Sequence, residues 1–138
     1  MREIIFKAKR KDNEEWVEGW LLGNPNSKGG VFIVTYYQYV LEPKKGEKYI
    51  IAPKSLTYFE VIPETVCEYV GITNSKNVKA FEDDKVEMLG SIYQIEWDYH
   101  TCGFYLSSSD GGEDDSINAL LNNDFEVIGN IHNQEVGR

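Results

Sequence analysis

The chain has 138 residues, of which 41% are hydrophobic and 27% charged, and its formal net charge is −9. This length predicts one domain of ordinary size or two very small ones, with enough buried surface to fold without disulfides. The acidic balance works against non-specific binding of nucleic acid and against docking on anionic membranes.

Short β-rich segments separated by turns make up the first half of the chain. Enrichment in Val, Ile, Thr, Tyr and Phe favours strands over helices there. The strands are predicted within residues 2–9, 15–23, 31–41 and 48–64. Pro63-Glu64 indicates a boundary between two parts of the chain. We therefore predict a β-rich N-terminal part over residues 1–63 and a second part over residues 64–138.

The second half restarts the same pattern and adds one helix. Strands are predicted in 65–72, in a hairpin over 81–98 that turns at Leu89-Gly90, in 102–109 and in 124–131. Ser116 to Asn122 is the helical segment, with Asp114, Asp115 or Ser116 as its cap. In the last strand, alternation puts Phe125, Val127 and Gly129 on one face and Glu126, Ile128 and Asn130 on the other. Gly129 there favours a bulge or a close approach. The fold class is therefore mainly β.

Three stretches of the chain follow the sequence pattern of one known family. The opening MREIIFKAKRKDNEEWVEGW matches Arg-Glu-Ile-x-Phe-Arg, a polar stretch and Trp-Val. EYVGITNSKNVKAFEDDKV keeps the skeleton Tyr-x-Gly and Glu-x-Asp-x-Val, although Asp83 replaces a glycine. The ending FEVIGNIHNQE is similar to Glu-Val-Ile-Gly-Asn-Ile-Tyr-x-Asn-Pro-Glu, without the proline. The chain thus resembles the YopX family of phage and prophage proteins over nearly its whole length.

This resemblance implies a fold and an origin. It implies a C-terminal SH3-type small barrel from about Glu64 to the end, and a mobile genetic element inside a bacterial host. It implies no activity, catalytic residue or cofactor, because no biochemical function is established for the family.

The cysteines and histidines give no recognisable reactive motif. His100 and Cys102 are close in sequence, but they lie between two predicted strands, where they indicate a turn with an inward-pointing cysteine. Two Cys and two His at unrelated spacings match no zinc pattern. The sequence leaves open whether Cys67 and Cys102 approach each other.

Two acidic stretches have structural explanations. The loop DGGEDD, residues 110–115, has the oxygen density that calcium requires but lacks the EF-hand pattern, and it precedes a helix that acidic residues can cap. In Phe81 to Asp84, FEDD, neighbouring carboxylates on a strand point to opposite faces. We therefore expect no catalytic residue, no metal site and no cofactor, and a protein that is not an enzyme.

Aromatic residues are the candidates for a binding surface. We predict Trp16, Trp20, Tyr37 and Tyr39 as binding residues, because aromatic side chains are enriched at interface hot spots. The alternative is that they form a small β core. Period-two alternation separates Tyr37 and Tyr39 from Tyr36 and Gln38.

We expect a non-enzymatic interaction module that binds an unidentified protein, with self-association through exposed strand edges as an open alternative. The N-terminus has no apolar signal region and no apolar run is long enough to span a membrane, so a cytoplasmic protein is expected. The rival hypothesis is a nucleic-acid-linked role. The protein would then either bind nucleic acid weakly through the basic cluster Lys7 to Lys11, KAKRK, or mimic DNA with an acidic surface. The structural interpretation of the same cluster is a solvated strand end.

Overall fold

A computed structural model describes residues 2–38, 40–41, 45–46, 50–51 and 53–133, which fall into two compact units. The N-terminal unit is Ile5–Val66, and the C-terminal unit is Cys67–Arg138 together with Met1–Ile4. Both are built mainly from antiparallel strands, which confirms the predicted fold class. Within the residues described, no helix combines the length and apolar character needed to cross a membrane.

The N-terminal unit contains a sheet of four antiparallel strands. These are β1 (Phe6–Lys9), β2 (Trp16–Leu22), β3 (Phe32–Tyr37) and β6 (Ser55–Glu60), in the spatial order β6-β3-β2-β1. The two-residue strands β4 (Val40–Leu41) and β5 (Ile50–Ile51) pair with each other, and one 3-10 turn spans Pro63–Thr65. Each main strand lies inside a segment predicted from the sequence.

One face of this sheet forms the core of the N-terminal unit. Ala8, Val31, Ile33 and Val61 are all fully buried and form one cluster. Alternation along the strands turns the intervening residues to the opposite face. An isolated bridge between Arg10 and Val61 joins the ends of the outer strands.

The C-terminal unit contains seven strands and one short helix. They are β7 (Cys67–Thr73), β8 (Lys79–Phe81), β9 (Asp84–Met88), β10 (Ser91–Asp98), β11 (Gly103–Ser108), β12 (Asp115–Ser116), α1 (Ala119–Asn122) and β13 (Glu126–Asn130). Five of them form a sheet in the order β12-β11-β10-β9-β13, and β7 pairs with β8.

The predicted hairpin turn is confirmed, whereas the predicted helix is too long. Ser91 lies opposite Met88, and Leu89 and Gly90 both have positive φ angles, of 51° and 80°. The helix begins only at Ala119 because Ser116 belongs to a strand, and its cap residue is Asn118, without a side-chain capping bond. The predicted caps are therefore wrong.

A large hydrophobic cluster lies in the described part of the C-terminal unit. Its buried members are Ile72, Ala80, Val86, Met88, Ile95, Leu106, Leu120 and Phe125. The β7–β8 hairpin thus contributes to the same core as the five-stranded sheet. In the part of the chain that is described, no sheet closes into a barrel.

The last strand contains an irregularity that changes which side chains are buried. The pairing of β13 with β9 shifts between Val127 and Gly129, so the bulge favoured by Gly129 is confirmed. After the shift, Asn130 lies opposite Asp84, and both are buried. The predicted alternation of the last strand is wrong beyond Val127 because the bulge interrupts it.

Candidate functional site

The outward face of the N-terminal sheet carries large apolar side chains that remain exposed to solvent. Its members, named here the aromatic face, are Trp20, Leu22, Phe32, Tyr36, Leu56 and Tyr58. Trp20 is 50% exposed, Tyr36 61% and Tyr58 68%. Fully burying an aromatic side chain removes roughly 150–250 Å² from water, so the exposed parts of this face sum to about 500 Å². The largest apolar patch on a typical soluble monomer measures about 300–600 Å² and is often functional, so this face is a candidate interaction surface.

The strand register explains why these side chains are neighbours. Trp20 lies opposite Val34, and Val34 lies opposite Tyr58, so all three point to the same side. Tyr36 lies opposite Leu56 in the same register. Paired residues of antiparallel strands share a face, and here that face is the one turned away from the core.

Two edge-to-face ring contacts hold the aromatic face in place. The rings of Trp20 and Tyr36 have centroids 6.1 Å apart, and those of Phe32 and Tyr58 are 5.8 Å apart. Such pairs contribute about 0.5–1.5 kcal/mol beyond area burial. The face is therefore preorganised, which lowers the entropy lost when a partner binds.

The four predicted binding residues have different positions. Trp20 is on the aromatic face, and Trp16 is on the same side of β2 but half-buried. Tyr37 is on the other side of β3, where its ring lies 5.3 Å from that of Phe59. Tyr39 lies outside the described residues. Their role in binding stays a prediction.

Leu56 and Tyr58 are members of the face that sequence analysis did not propose. Their only signal is the alternation in SLTYFE, where Phe59 points inward and its neighbours outward. That pattern fixes two faces without saying which one is solvent-exposed.

The basic cluster Lys7 to Lys11 is largely neutralised within the unit. Arg10 pairs with Asp12 at 2.6 Å, which raises the pKa of its guanidinium, and Lys11 pairs with Glu60 at 2.8 Å. The ammonium groups of Lys7 and Lys9 lie 4.8 Å and 5.7 Å from the ring centroid of Trp16.

The predicted solvated strand end is wrong for Lys9. This residue is only 7% exposed, and its backbone N–H donates to the hydroxyl of Thr65 at 2.9 Å. A lysine stem can cover apolar surface in this way while the charge lies over an aromatic ring.

A second group of functional side chains lies in the C-terminal unit. Cys67, Asp83 and His132, named here the thiol cluster, bring a sulfur, a carboxylate oxygen and an imidazole nitrogen within 4.8 Å of one another. The Nε2 atom of His132 is 3.0 Å from Oδ2 of Asp83, and the thiol of Cys67 donates to the same oxygen at 3.9 Å. Cys67 is fully buried, whereas the other two side chains are 21% and 23% exposed.

Asn130 and Asp84 are buried residues whose side chains support the thiol cluster. The amide of Asn130 donates to Oδ1 of Asp84 at 2.9 Å and contacts the sulfur of Cys67 at 3.8 Å. Its carbonyl oxygen accepts the backbone N–H of His132 at 2.9 Å. The second oxygen of Asp84 accepts the N–H of Phe81 at 2.8 Å. The Gly-Asn-Ile-His ending therefore closes a buried polar network.

The order of groups in the thiol cluster does not suit nucleophilic catalysis. A cysteine nucleophile needs the imidazole as its base and the carboxylate behind the imidazole. Here the carboxylate of Asp83 lies between the thiol and the ring, and the sulfur is fully buried.

The thiol cluster was not predicted from the sequence, because the acidic segment was expected to be a regular strand. Asp83 has a φ of 68°, so it interrupts the alternation that was predicted to separate it from Asp84. Both carboxylates consequently reach the network around Cys67 and Asn130. Two signals were available, since Asp83 and His132 are both positions where the chain departs from the family pattern quoted above.

The other candidate groups are tied to turns. Cys102 is exposed rather than inward-pointing, and no disulfide joins it to Cys67. In the acidic loop, Asp114 accepts the backbone N–H of Ser108, and Asp110 accepts its hydroxyl, both at 2.9 Å. Hydrogen bonds from this hydroxyl and from the Gly112 N–H lower the pKa of Asp110. These carboxylates therefore serve to shape their own loop.

Comparisons with known proteins identify a family but no characterised relative. The model of the YopX family, described as YopX protein, matches residues 5–135. Searches of curated proteins and of solved structures returned no match. The match covers both structural units, and the chain belongs to the YopX family.

Proposed function

We propose that the protein is a non-enzymatic interaction module that binds another protein through the aromatic face. The observation that carries the proposal is the exposure of Trp20, Tyr36 and Tyr58 on one ordered sheet surface. Aromatic residues with fixed rings are the usual anchors of protein interfaces, because they bury much area at a small cost in side-chain entropy.

A protein suits this face better than a nucleic acid. Single-stranded nucleic acids also stack on aromatic rings, but their sites combine those rings with free cations along the backbone path. Beside this face Lys11 is paired with Glu60. The net charge of −9 adds long-range repulsion. The remaining alternative is that an acidic surface of the protein mimics DNA, and the identity of the captured partner would reveal this.

The setting of this function follows from the family resemblance. We place the protein in the bacterial cytoplasm as a product of a phage or prophage. For the C-terminal unit we propose an SH3-type arrangement, because a hairpin and a five-stranded sheet share one core. Self-association on the aromatic face is a further outcome that the experiment below distinguishes.

The test is an affinity capture from bacterial lysate with three forms of the protein. They are the natural chain, the double variant Tyr36→Ser/Tyr58→Ser and the control Tyr99→Ser, whose side chain is 85% exposed in the other unit. The double variant loses two ring contacts worth about 0.5–1.5 kcal/mol each, so it should be less stable by about 1–3 kcal/mol. Tyr99→Ser removes an exposed ring and should change stability by less than about 0.5 kcal/mol. Loss of a hot-spot side chain weakens binding by about 2 kcal/mol, roughly 30-fold.

We expect a protein partner that survives nuclease treatment, is lost with the double variant and is kept with Tyr99→Ser. Capture that disappears with nuclease, or that the double variant retains, would contradict the proposal. If the captured protein is the chain itself, sedimentation of the natural chain and of the double variant will show a dimer that only the natural chain forms. That result would mean that the protein self-associates through the aromatic face and does not bind a different protein there.

A further inference from the structure

We propose that the thiol cluster is a Zn²⁺-binding site in which Cys67, Asp83 and His132 supply three protein ligands. The cluster lies in the C-terminal unit and shares no residue with the aromatic face. It offers one thiol sulfur, one carboxylate oxygen and one imidazole nitrogen within 4.8 Å of one another. Zn²⁺ is bound in proteins by these three donor types.

Two of the three distances between ligand atoms are close to those of a tetrahedral zinc site. With zinc–sulfur bonds of about 2.3 Å and zinc–nitrogen or zinc–oxygen bonds of about 2.0–2.1 Å, tetrahedral ligand atoms lie about 3.4–3.6 Å apart. The sulfur of Cys67 is 3.9 Å from Oδ2 of Asp83, and Nε2 of His132 is 3.0 Å from the same oxygen. The sulfur of Cys67 and the imidazole nitrogen of His132 lie within 4.8 Å of each other, so these two atoms must approach by up to about 1 Å when the ion binds.

The donor chemistry selects zinc over the hard cations considered for the acidic loop. Calcium and magnesium take oxygen ligands and avoid sulfur. Thiolate and imidazole together suit zinc and its spectroscopic substitute Co²⁺. Three protein ligands leave one position for solvent, and the half-buried side chains of Asp83 and His132 give the ion a path inward.

Neighbouring groups hold the ligands in position. Asn130 contacts the sulfur of Cys67 and accepts the backbone N–H of His132. The carbonyl oxygen of Asp83 accepts the N–H of Ile131 at 3.1 Å, and its own N–H donates to Ile95 at 2.8 Å. Outer hydrogen bonds of this kind orient metal ligands and tune their affinity.

The positive φ of Asp83 fits the same role. A non-glycine residue at a φ of 68° is uncommon and costs free energy, although aspartate tolerates it better than most residues. The conformation directs the Asp83 carboxylate to the sulfur of Cys67 and to the ring of His132.

Proton balance sets the conditions for binding. On binding the ion, the thiol of Cys67 releases its proton to solvent, and the imidazole of His132 binds through Nε2 with its proton on Nδ1. Asp83 exchanges its contacts with the thiol and the ring for a bond to the ion. Metal binding at this site should therefore be accompanied by proton release.

The experiment titrates the full, chelator-treated and reduced chain with Co²⁺ and then displaces Co²⁺ with Zn²⁺. We expect one equivalent of Co²⁺, with visible bands of a tetrahedral ion and an ultraviolet thiolate-to-cobalt band, all removed by Zn²⁺. Cys67→Ser should abolish the thiolate band. His132→Gln removes the imidazole ligand, and it should weaken binding more than about 100-fold, beyond the loss typical of outer partners.

The controls are the other thiol and the other histidine. Cys102→Ser and His100→Gln should leave the titration unchanged. The proposal is overturned if no thiolate band forms, if the band follows Cys102, or if His132→Gln binds Co²⁺ as tightly as the natural chain. If Cys67→Ser fails to fold, the His132→Gln titration alone decides between a three-ligand site and a hydrogen-bonded cluster.

Discussion

Replacing Asn130 by alanine should destabilise the protein strongly, because this side chain connects the buried groups of the C-terminal unit. Its amide donates to the fully buried carboxylate of Asp84 at 2.9 Å, and its carbonyl accepts the backbone N–H of His132 at 2.9 Å. A hydrogen bond to a charged group is worth about 1.5–3 kcal/mol and a neutral one about 0.5–1.5 kcal/mol. The expected loss in unfolding free energy is about 2–4 kcal/mol.

Thermal unfolding with a chelator present measures this loss without interference from bound metal. For a chain of this length, the loss corresponds to a fall in Tm of about 10 °C. Asn122→Ala is the matched control, since this exposed side chain lies in the same unit and its removal should cost less than about 0.5 kcal/mol. An Asn130→Ala variant as stable as the control would refute the reasoning that the buried carboxylate depends on this donor.

Four further predictions concern single positions. Gly19→Ala should cost at least about 2 kcal/mol in chemical denaturation, because its Cβ would lie 2.2 Å from a backbone carbonyl oxygen of β3. Gly129→Ala should cost less than about 1 kcal/mol in the same assay, since its φ is not positive and the nearest atom would be 3.9 Å from the new Cβ. Equal losses of stability at the two glycines would contradict both predictions. An NMR titration should give Asp110 a pKa below the usual 3.8 of an aspartate. The stability that Asp110 contributes is therefore present above that value and is lost as pH falls. An unshifted pKa would contradict the role of Asp110 in shaping the loop. Cys102→Ser should leave Tm unchanged within about 2 °C, because this thiol is exposed, and a large fall would indicate a packing role.

The strands were predictable because their signals are local. Alternating β-branched and aromatic residues located the main strands except β8 (Lys79–Phe81), which lies largely outside the predicted segments, and Leu89-Gly90 located the hairpin turn. The helix was overestimated because Ser116 pairs with Tyr105 in a distant strand, and this pairing leaves no local signal.

The aromatic face was only partly predictable. Alternation correctly separated Tyr36 from Tyr37, but both faces of β3 carry apolar residues, so the pattern could not say which face is the core. Burial of Ile33 and Val31 decides it, and this depends on packing with Val61, far along the chain. Tyr36 therefore lies on the exposed face and Tyr37 on the other.

The thiol cluster could not be predicted from spacing, because its residues come from three distant segments. Asp83 and His132 are 49 residues apart and meet through the pairing of β13 with β9. The bulge before Gly129 then turns Asn130 inward, against the regular alternation. Prediction fails at this point because a bulge and a positive φ both break the periodicity on which it depends.

Site-specific photo-crosslinking in the bacterial cell tests the central claim, a protein bound on the aromatic face, most directly. A photoreactive amino acid in place of Tyr58 samples that face, and the same amino acid in place of Tyr99 samples an exposed position in the other unit. The account predicts a discrete protein adduct from position 58 that is absent from position 99. No adduct at position 58, an adduct to nucleic acid, or the same adducts from both positions would contradict it.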